Sequence, residues 1–219
     1  MSTPRPLSQL IHFPVQNGTG GPPIITMHDH SQFGKDVATW GTAASPNGRV
    51  IALESYKGVF VGKEIVGYTW FLGPAERPSP IFFGDSLSEI ERFLWDEVDR
   101  SGQDSPNLPF LLGIGQGGIM AIATALAVPE LVSGVIAINA FLPKVPGWNP
   151  PLAPMNNLPV LLVNSAESQN PGVLAGDDLV NALTNWEADV SSITQPDVSP
   201  DTLDISEWIR KVEVKSLVR

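Results

Sequence analysis

Four short runs in this chain are apolar on both faces, apart from Thr26 in the first run and a closing asparagine in the last two. They are residues 23–27, 109–114, 134–139 and 159–164, bordered by Gly, Pro or Asn. A strand with no polar face must be covered on both sides, which is typical of a parallel sheet enclosed by helices. Helical patterns separate the runs. The sequence therefore predicts an α/β fold with a mostly parallel, doubly wound sheet flanked by helices, as a single domain over residues 1–219.

The remaining elements follow from local patterns. Residues 10–15 read as an edge strand, because Pro14 would interrupt a central ladder. Ser86 and Glu89 form a capping box that predicts the start of a helix. Further strands are expected at 49–53 and 190–194, and further helices at 33–44, 117–128, 177–188 and 203–212. Two aromatic and Pro-rich segments, 55–83 and 140–157, follow strand ends, where open α/β sheets bind ligands, so we expect them to cover a pocket.

Composition excludes several classes of function. The formal net charge of −10 argues against binding to nucleic acid or to an anionic membrane. The longest apolar run, residues 119–128, is too short to span a bilayer, and the first ten residues do not resemble a signal peptide. There is no cysteine, so disulfides and thiolate metal sites are impossible, which fits a cytoplasmic protein. We expect no cofactor and no bound metal.

The glycine turn after residues 109–114 has two interpretations. Gly113, Gly115 and Gly118 match the dinucleotide fingerprint G-x-G-x-x-G. That fingerprint follows the first strand of a domain and needs an acidic residue at the end of the next strand. Here earlier strands precede the turn, and residues 138–140 read INA. A nucleotide site is therefore the weaker interpretation.

The second interpretation is a nucleophile elbow, G-x-S-x-G, with glycine at the serine position. Strand and helix approach closely at an elbow, so small residues are needed on both sides of the nucleophile, and Gly113 and Gly117 meet that need. Gly115 tolerates the positive φ that the turn requires. An elbow with Gly115 keeps the turn and lacks the nucleophile.

Four motifs together resemble the phospholipase/carboxylesterase branch of the α/β-hydrolase family, over about residues 24–212. The family elbow reads like GFSQGG, and residues 113–118 read GIGQGG. Residues 28–32 (HDHSQ) correspond to the family's H-G-x-G-D-like loop, and residues 68–71 (YTWF) to its R-W-F-like segment. Residues 138–143 (INAFLP) match the segment after the elbow helix. The resemblance implies an α/β-hydrolase fold, and a homodimer is plausible on the same ground.

The catalytic triad that the resemblance implies is missing. The family's serine falls on Gly115, its acid on Ser168 and its histidine near Val198, and no histidine follows His30. Hydrolysis through an acyl-enzyme is therefore not expected. By resemblance, the oxyanion hole would use the backbone N–H of Gln116 and one N–H from His30 or Ser31.

The triplet His28–Asp29–His30 is richer in titratable groups than the family pattern. Three interpretations stay open. His28 is structural and His30 forms part of a pocket wall, or one imidazole is a general acid or base beside the oxyanion donors, or the two imidazoles bind a metal. The metal interpretation needs a third ligand, and His12 lies on the predicted edge strand.

Two classes of function follow. One is a repurposed enzyme that acts on a small carbonyl or carboxylate compound by acid/base chemistry, with His28, Asp29 and His30 at its site. The other is a catalytically inactive protein that binds a small molecule or a partner in the old pocket. The residues expected to line that pocket are Glu54, Tyr56, Trp70, Phe71, Phe141, Trp148 and Ser168.

Overall fold

The computed structural model describes residues 10–101, 108–165 and 174–216. The strands in these ranges are β1 (Ile11–Asn17), β2 (Ile24–Met27), β3 (Arg49–Glu54), β4 (Gly58–Val61), β5 (Glu64–Tyr68), β6 (Phe110–Ile114), β7 (Gly134–Ile138), β8 (Pro159–Ser165) and β9 (Asp189–Gln195). The α-helices are α1 (Ala38–Ala44), α2 (Pro80–Ser101), α3 (Gln116–Ala127), α4 (Gly176–Asn185) and α5 (Ile205–Ser216). None of the helices in these ranges is both long and apolar enough to cross a bilayer.

Seven strands form one sheet in the order β1-β3-β2-β6-β7-β8-β9. Every neighbouring pair is parallel except β1 with β3. β1 lies at the edge, and its register shifts between Pro14 and Gln16. The missing N–H of Pro14 is tolerated there because an edge strand has one unpaired side. The predictions of a mostly parallel sheet and of an edge strand that contains Pro14 are confirmed.

The sheet has a separate apolar cluster on each face. Ile25 and Leu111 belong to the cluster covered by α2, α3 and α4, whereas their chain neighbours Ile24 and Leu112 belong to the cluster covered by α1 and α5. Successive side chains of a strand point to opposite faces, so a strand that is apolar throughout serves both clusters. This arrangement confirms helices on both faces of the sheet.

The structure corrects three sequence predictions. Residues 55–83 are not irregular throughout, because β4 and β5 form an antiparallel hairpin. α2 begins at Pro80 rather than at Ser86, since proline fits the first turn of a helix. The Ser86 hydroxyl instead donates to the carbonyl of Trp70 at 2.5 Å. Residues 33–44 divide into a 3₁₀ turn, Gly34–Val37, and the short α1.

Candidate functional site

The glycine turn joins β6 to α3 in a backbone conformation that excludes side chains. Gly115 has φ 52° and ψ −115°, a region that residues with a Cβ rarely adopt. A Cβ on Gly113 would lie 2.2 Å from the carbonyl carbon of Gly117, and a Cβ on Gly117 would lie 2.2 Å from the carbonyl oxygen of Met27. The start of α3 therefore rests directly on the ends of β6 and β2.

The carboxylate of Asp29 occupies the place where a side chain on residue 115 would project. A Cβ built on Gly115 would lie 2.1 Å from Asp29 Oδ1 and 2.3 Å from Oδ2. The same Oδ1 accepts hydrogen bonds from the backbone N–H of Gln116 at 2.8 Å and from that of His30 at 2.7 Å. Glycine at residue 115 is thus what gives Asp29 its position.

These contacts change the interpretation of the oxyanion donors. The N–H groups of Gln116 and His30 converge as the sequence suggested, but they converge on the Asp29 carboxylate. The N–H of Ser31 donates to the carbonyl of Tyr68 at 2.9 Å, so Ser31 does not supply a free donor. An oxygen atom of a ligand would have to displace Asp29 to reach this pair of N–H groups.

His28 is wholly buried, and both of its ring nitrogens are hydrogen-bonded. Nε2 accepts from the backbone N–H of Ser55 at 3.1 Å, and Nδ1 lies 2.7 Å from the carbonyl of Asp29. Because Nε2 accepts, the proton of the neutral ring is on Nδ1, which donates to that carbonyl. The ring stacks on Trp70 with centroids 4.9 Å apart. Of the interpretations left open, these contacts favour a structural His28 rather than an acid or base.

Burial also acts on the charge of His28. Desolvation lowers the pKa of the imidazole below its ordinary value of 6.5, and it outweighs the opposing hydrogen bond and charge of Asp29. The folded protein therefore holds His28 in its neutral form.

His30 is exposed, and one of its ring nitrogens remains free. Nδ1 lies 3.1 Å from the Thr69 hydroxyl oxygen. The single hydroxyl proton of Thr69 points to the carbonyl of Phe71 or to Oε1 of Gln116, each 2.8 Å away. Since both of those groups only accept, Nδ1 of His30 donates to Thr69. No hydrogen bond involves Nε2 among the residues the structure describes.

The Gln116 side chain connects the elbow to residues 69–71. Its Oε1 accepts from the backbone N–H of Trp70 at 3.0 Å and lies 2.8 Å from the Thr69 hydroxyl oxygen. Sequence reasoning placed Gln116 in the oxyanion hole but missed Thr69. Thr69 lies within the YTWF motif, so its position was noticed, but nothing in the motif indicates the three-way hydrogen bonding of its hydroxyl.

The residues expected to line the pocket are scattered. Trp70, Phe71 and Phe141 are buried in the apolar core. The buried Glu54 carboxylate accepts from the N–H of Gly34 at 2.9 Å and so caps the 3₁₀ turn. Tyr56 is on the surface with Lys57 Nζ 4.1 Å from its ring centroid. Trp148 lines an open cleft, and Ser168 lies outside the described residues.

Across the described ranges, no three His, Asp or Glu side chains converge as a metal site.

Comparison with known proteins connects this geometry to one family. The sequence profile described as phospholipase/carboxylesterase matches residues 81–206. A putative esterase, NocK of Nocardia uniformis subsp. tsuyamanensis, is 27% identical over 162 residues. That match covers 73% of this chain but only 39% of NocK, so the chain corresponds to less than half of this relative.

Solved structures share the fold at low sequence identity. The Bacillus cereus carboxylesterase superposes with a TM-score of 0.75 at 16% identity, over 93% of this chain and 95% of that one. The Mesorhizobium loti carboxylesterase superposes with a TM-score of 0.70, also at 16% identity, over 88% and 90%. Both superpositions show that this chain has the α/β-hydrolase architecture, as the sequence resemblance implied.

We predict that Gly115→Ala lowers the free energy of unfolding by about 1–3 kcal/mol, through the cost of positive φ and the collision with Asp29. Gly62→Ala is the matched control, because Gly62 has φ 64° and no atom within 4 Å of a built Cβ. Gly62→Ala should lose only the free energy of unfolding that the positive φ costs, because its new methyl group would meet no other atom. Chemical denaturation measures both variants.

The collision itself is tested by a double-mutant cycle. Adding Asp29→Ala to Gly115→Ala should recover part of the loss, because the carboxylate no longer meets the new methyl group. Strictly additive effects would show that Asp29 does not occupy this position.

We also predict a pH dependence that depends on His28. In the unfolded chain the His28 imidazole takes up a proton near pH 6.5, whereas in the folded protein its pKa is lower. Stability from this group is therefore complete above pH 6.5 and is lost as the pH falls through the lowered folded pKa. Between about pH 7.5 and about pH 5.5, the unfolding free energy of the wild type should fall by up to about 1.4 kcal/mol per pH unit more steeply than that of His28→Gln. Equal slopes would contradict a buried, neutral His28.

Proposed function

Because the chain belongs to the phospholipase/carboxylesterase family and carries Gly115 at the elbow, we propose that it does not hydrolyse esters through an acyl-enzyme. We propose instead that it is an acid/base enzyme acting on a small carbonyl compound, with the Asp29 carboxylate as its base. The observation that carries this proposal is the position of Asp29 on two backbone N–H groups of the elbow and its loop.

The carboxylate has one anchored oxygen and one available oxygen. Oδ1 takes both backbone hydrogen bonds, and Oδ2 makes none among the described residues. Asp29 is half-buried, so its carboxylate is reached from the surface while its orientation is fixed. A base held in one orientation loses little freedom when it reacts, which is the property that makes a positioned group effective.

His30 supplies the second proton-transfer group of the proposal. Its Nδ1 is held by Thr69, and Nε2 makes no hydrogen bond among the described residues. Asp29 removes a proton from the carbon next to a carbonyl, and protonated His30 donates from Nε2 to the carbonyl oxygen. This division of roles suits the site, because Asp29 already takes the two backbone donors that would otherwise stabilise the oxygen. Isomerisation and cyclisation begin with such a step, whereas decarboxylation and C–C cleavage reach the enolate by loss of a carbon fragment and use only the proton transfer to oxygen.

A second function is favoured by the same carboxylate. With Asp29 on both backbone donors, the elbow no longer offers them to a substrate oxygen. A protein that only binds a small molecule needs a shaped surface and no proton transfer. The inactive, ligand-binding interpretation therefore remains the alternative.

We expect wild-type protein to accelerate exchange of the α-protons of some carbonyl compounds into deuterated water. The panel is 2-oxo acids, β-keto esters and cyclic ketones, followed by proton NMR. Asp29→Asn keeps an oxygen that accepts from both N–H groups and removes the base, so exchange should fall by about 10²–10⁴-fold. His30→Ala should reduce exchange as well.

The controls separate the two functions. Asp201→Asn removes the charge of an exposed aspartate elsewhere on the chain and should leave exchange unchanged. If the wild type exchanges the α-protons of no compound faster than Asp29→Asn does, the proposed acid/base activity is wrong and the ligand-binding function is favoured. The purified protein should not hydrolyse aryl esters above the background rate. If esterase activity remains with the protein through purification, the proposal that it does not hydrolyse esters through an acyl-enzyme is wrong.

A further inference from the structure

An open cleft of about 560 Å³ lies between the two segments that follow strand ends. This volume is within the range of small-molecule sites. Arg77 comes from the first segment and residues 142–150 supply most of the wall. Its remaining described lining residues are Leu174, which precedes α4, and Trp186, which follows it. Both segments therefore contribute residues to this cleft.

Two cations stand on the wall of this cleft. Arg77 and Lys144 both line it and are both exposed. Neither forms an ion pair within the described part of the chain, where the other arginines and lysines include several that do. The N–H of Lys144 donates to the carbonyl of Glu76 at 3.0 Å, which ties the two loops together. In a chain of net charge −10, two unpaired cations on one cleft favour an anionic ligand.

Apart from Asn149, the rest of the described wall is formed by apolar residues, including two tryptophans. Trp148 is held against Phe83, with ring centroids 5.1 Å apart. The backbone N–H of Trp186 donates to the carbonyl of Ala182 at 3.1 Å, so Trp186 is anchored to the end of α4. The indole N–H of Trp148 is buried and has no acceptor among the described residues. Rigid aromatic and proline rings bind planar groups at a low cost in conformational entropy.

We propose that this cleft binds a small carboxylate with a planar apolar body. The planar body lies against Trp148 and Trp186, and the carboxylate faces Arg77 and Lys144. The fork of the Arg77 guanidinium matches the two oxygens of a carboxylate, whereas Lys144 adds a point charge. This binding does not depend on the reaction proposed for Asp29, because the described lining of the cleft includes neither Asp29, His30 nor the elbow.

Isothermal titration calorimetry with 2-naphthoate tests the proposal directly. We expect saturable binding by the full chain, at least about five-fold weaker binding of the neutral isostere 2-naphthylmethanol, and weaker binding at raised salt. Octanoate, which has the charge without the planar body, should also bind more weakly. Equal affinity for octanoate and 2-naphthoate would overturn the planar part of the proposal.

Variants of the two cations identify the site. Arg77→Gln and Lys144→Gln should each weaken 2-naphthoate binding about three- to ten-fold, and Arg77→Lys should retain part of the affinity. Both side chains are exposed, so the variants should fold normally. Lys211→Gln with Lys215→Gln removes two charges from α5, on the opposite face of the sheet, and should leave binding unchanged. Unchanged affinity in both cleft variants, or no saturable binding by wild type, would overturn the proposal. Asp29→Asn should bind normally, so a failure of the Asp29 chemistry is distinguishable from a failure of this site.

Discussion

The close contact of α3 with the ends of β6 and β2 is the constraint on which the site depends. At Gly113 and Gly117 a single methyl group would lie 2.2 Å from backbone atoms, far inside van der Waals contact. Flexible side chains can move aside, but backbone atoms of a central sheet cannot. The elbow is therefore fixed by the main chain, and it keeps its shape whatever chemistry residue 115 offers. That independence explains how the turn keeps its shape with glycine at residue 115.

Around this fixed turn, a polar network connects three distant segments of the chain. Gln116 reaches Trp70 and Thr69, Trp70 donates its indole N–H to the carbonyl of His28 at 2.8 Å, and Ser55 donates to the His28 ring. These groups are buried, so each lost partner would leave an uncompensated polar atom. His28, one of the two histidines that the sequence offered as an acid or base, is therefore committed to holding the loop, whereas Asp29 is half-buried and His30 is exposed.

Much of the fold could be predicted because the apolar runs are compatible with only one environment. A strand such as β6 has no polar face, and only a sheet covered on both sides accommodates it. The β4–β5 hairpin was missed because its apolar side chains, among them Phe60 and Val61, are exposed. The pairing of Asp29 with Gln116 spans 87 residues, and no local pattern indicates a contact of that kind. Gly115 was recognised as a missing nucleophile, but the carboxylate that fills the space became visible only when the loops were placed.

The position of Asp29 has a consequence for sequence change. A serine at residue 115 and the present carboxylate would require the same space, so that single substitution would place two side chains in one volume. Residue 29 would have to change first or at the same time. Residues 29 and 115 are therefore epistatic: any path of single substitutions that brings a larger side chain to residue 115 must pass through residue 29.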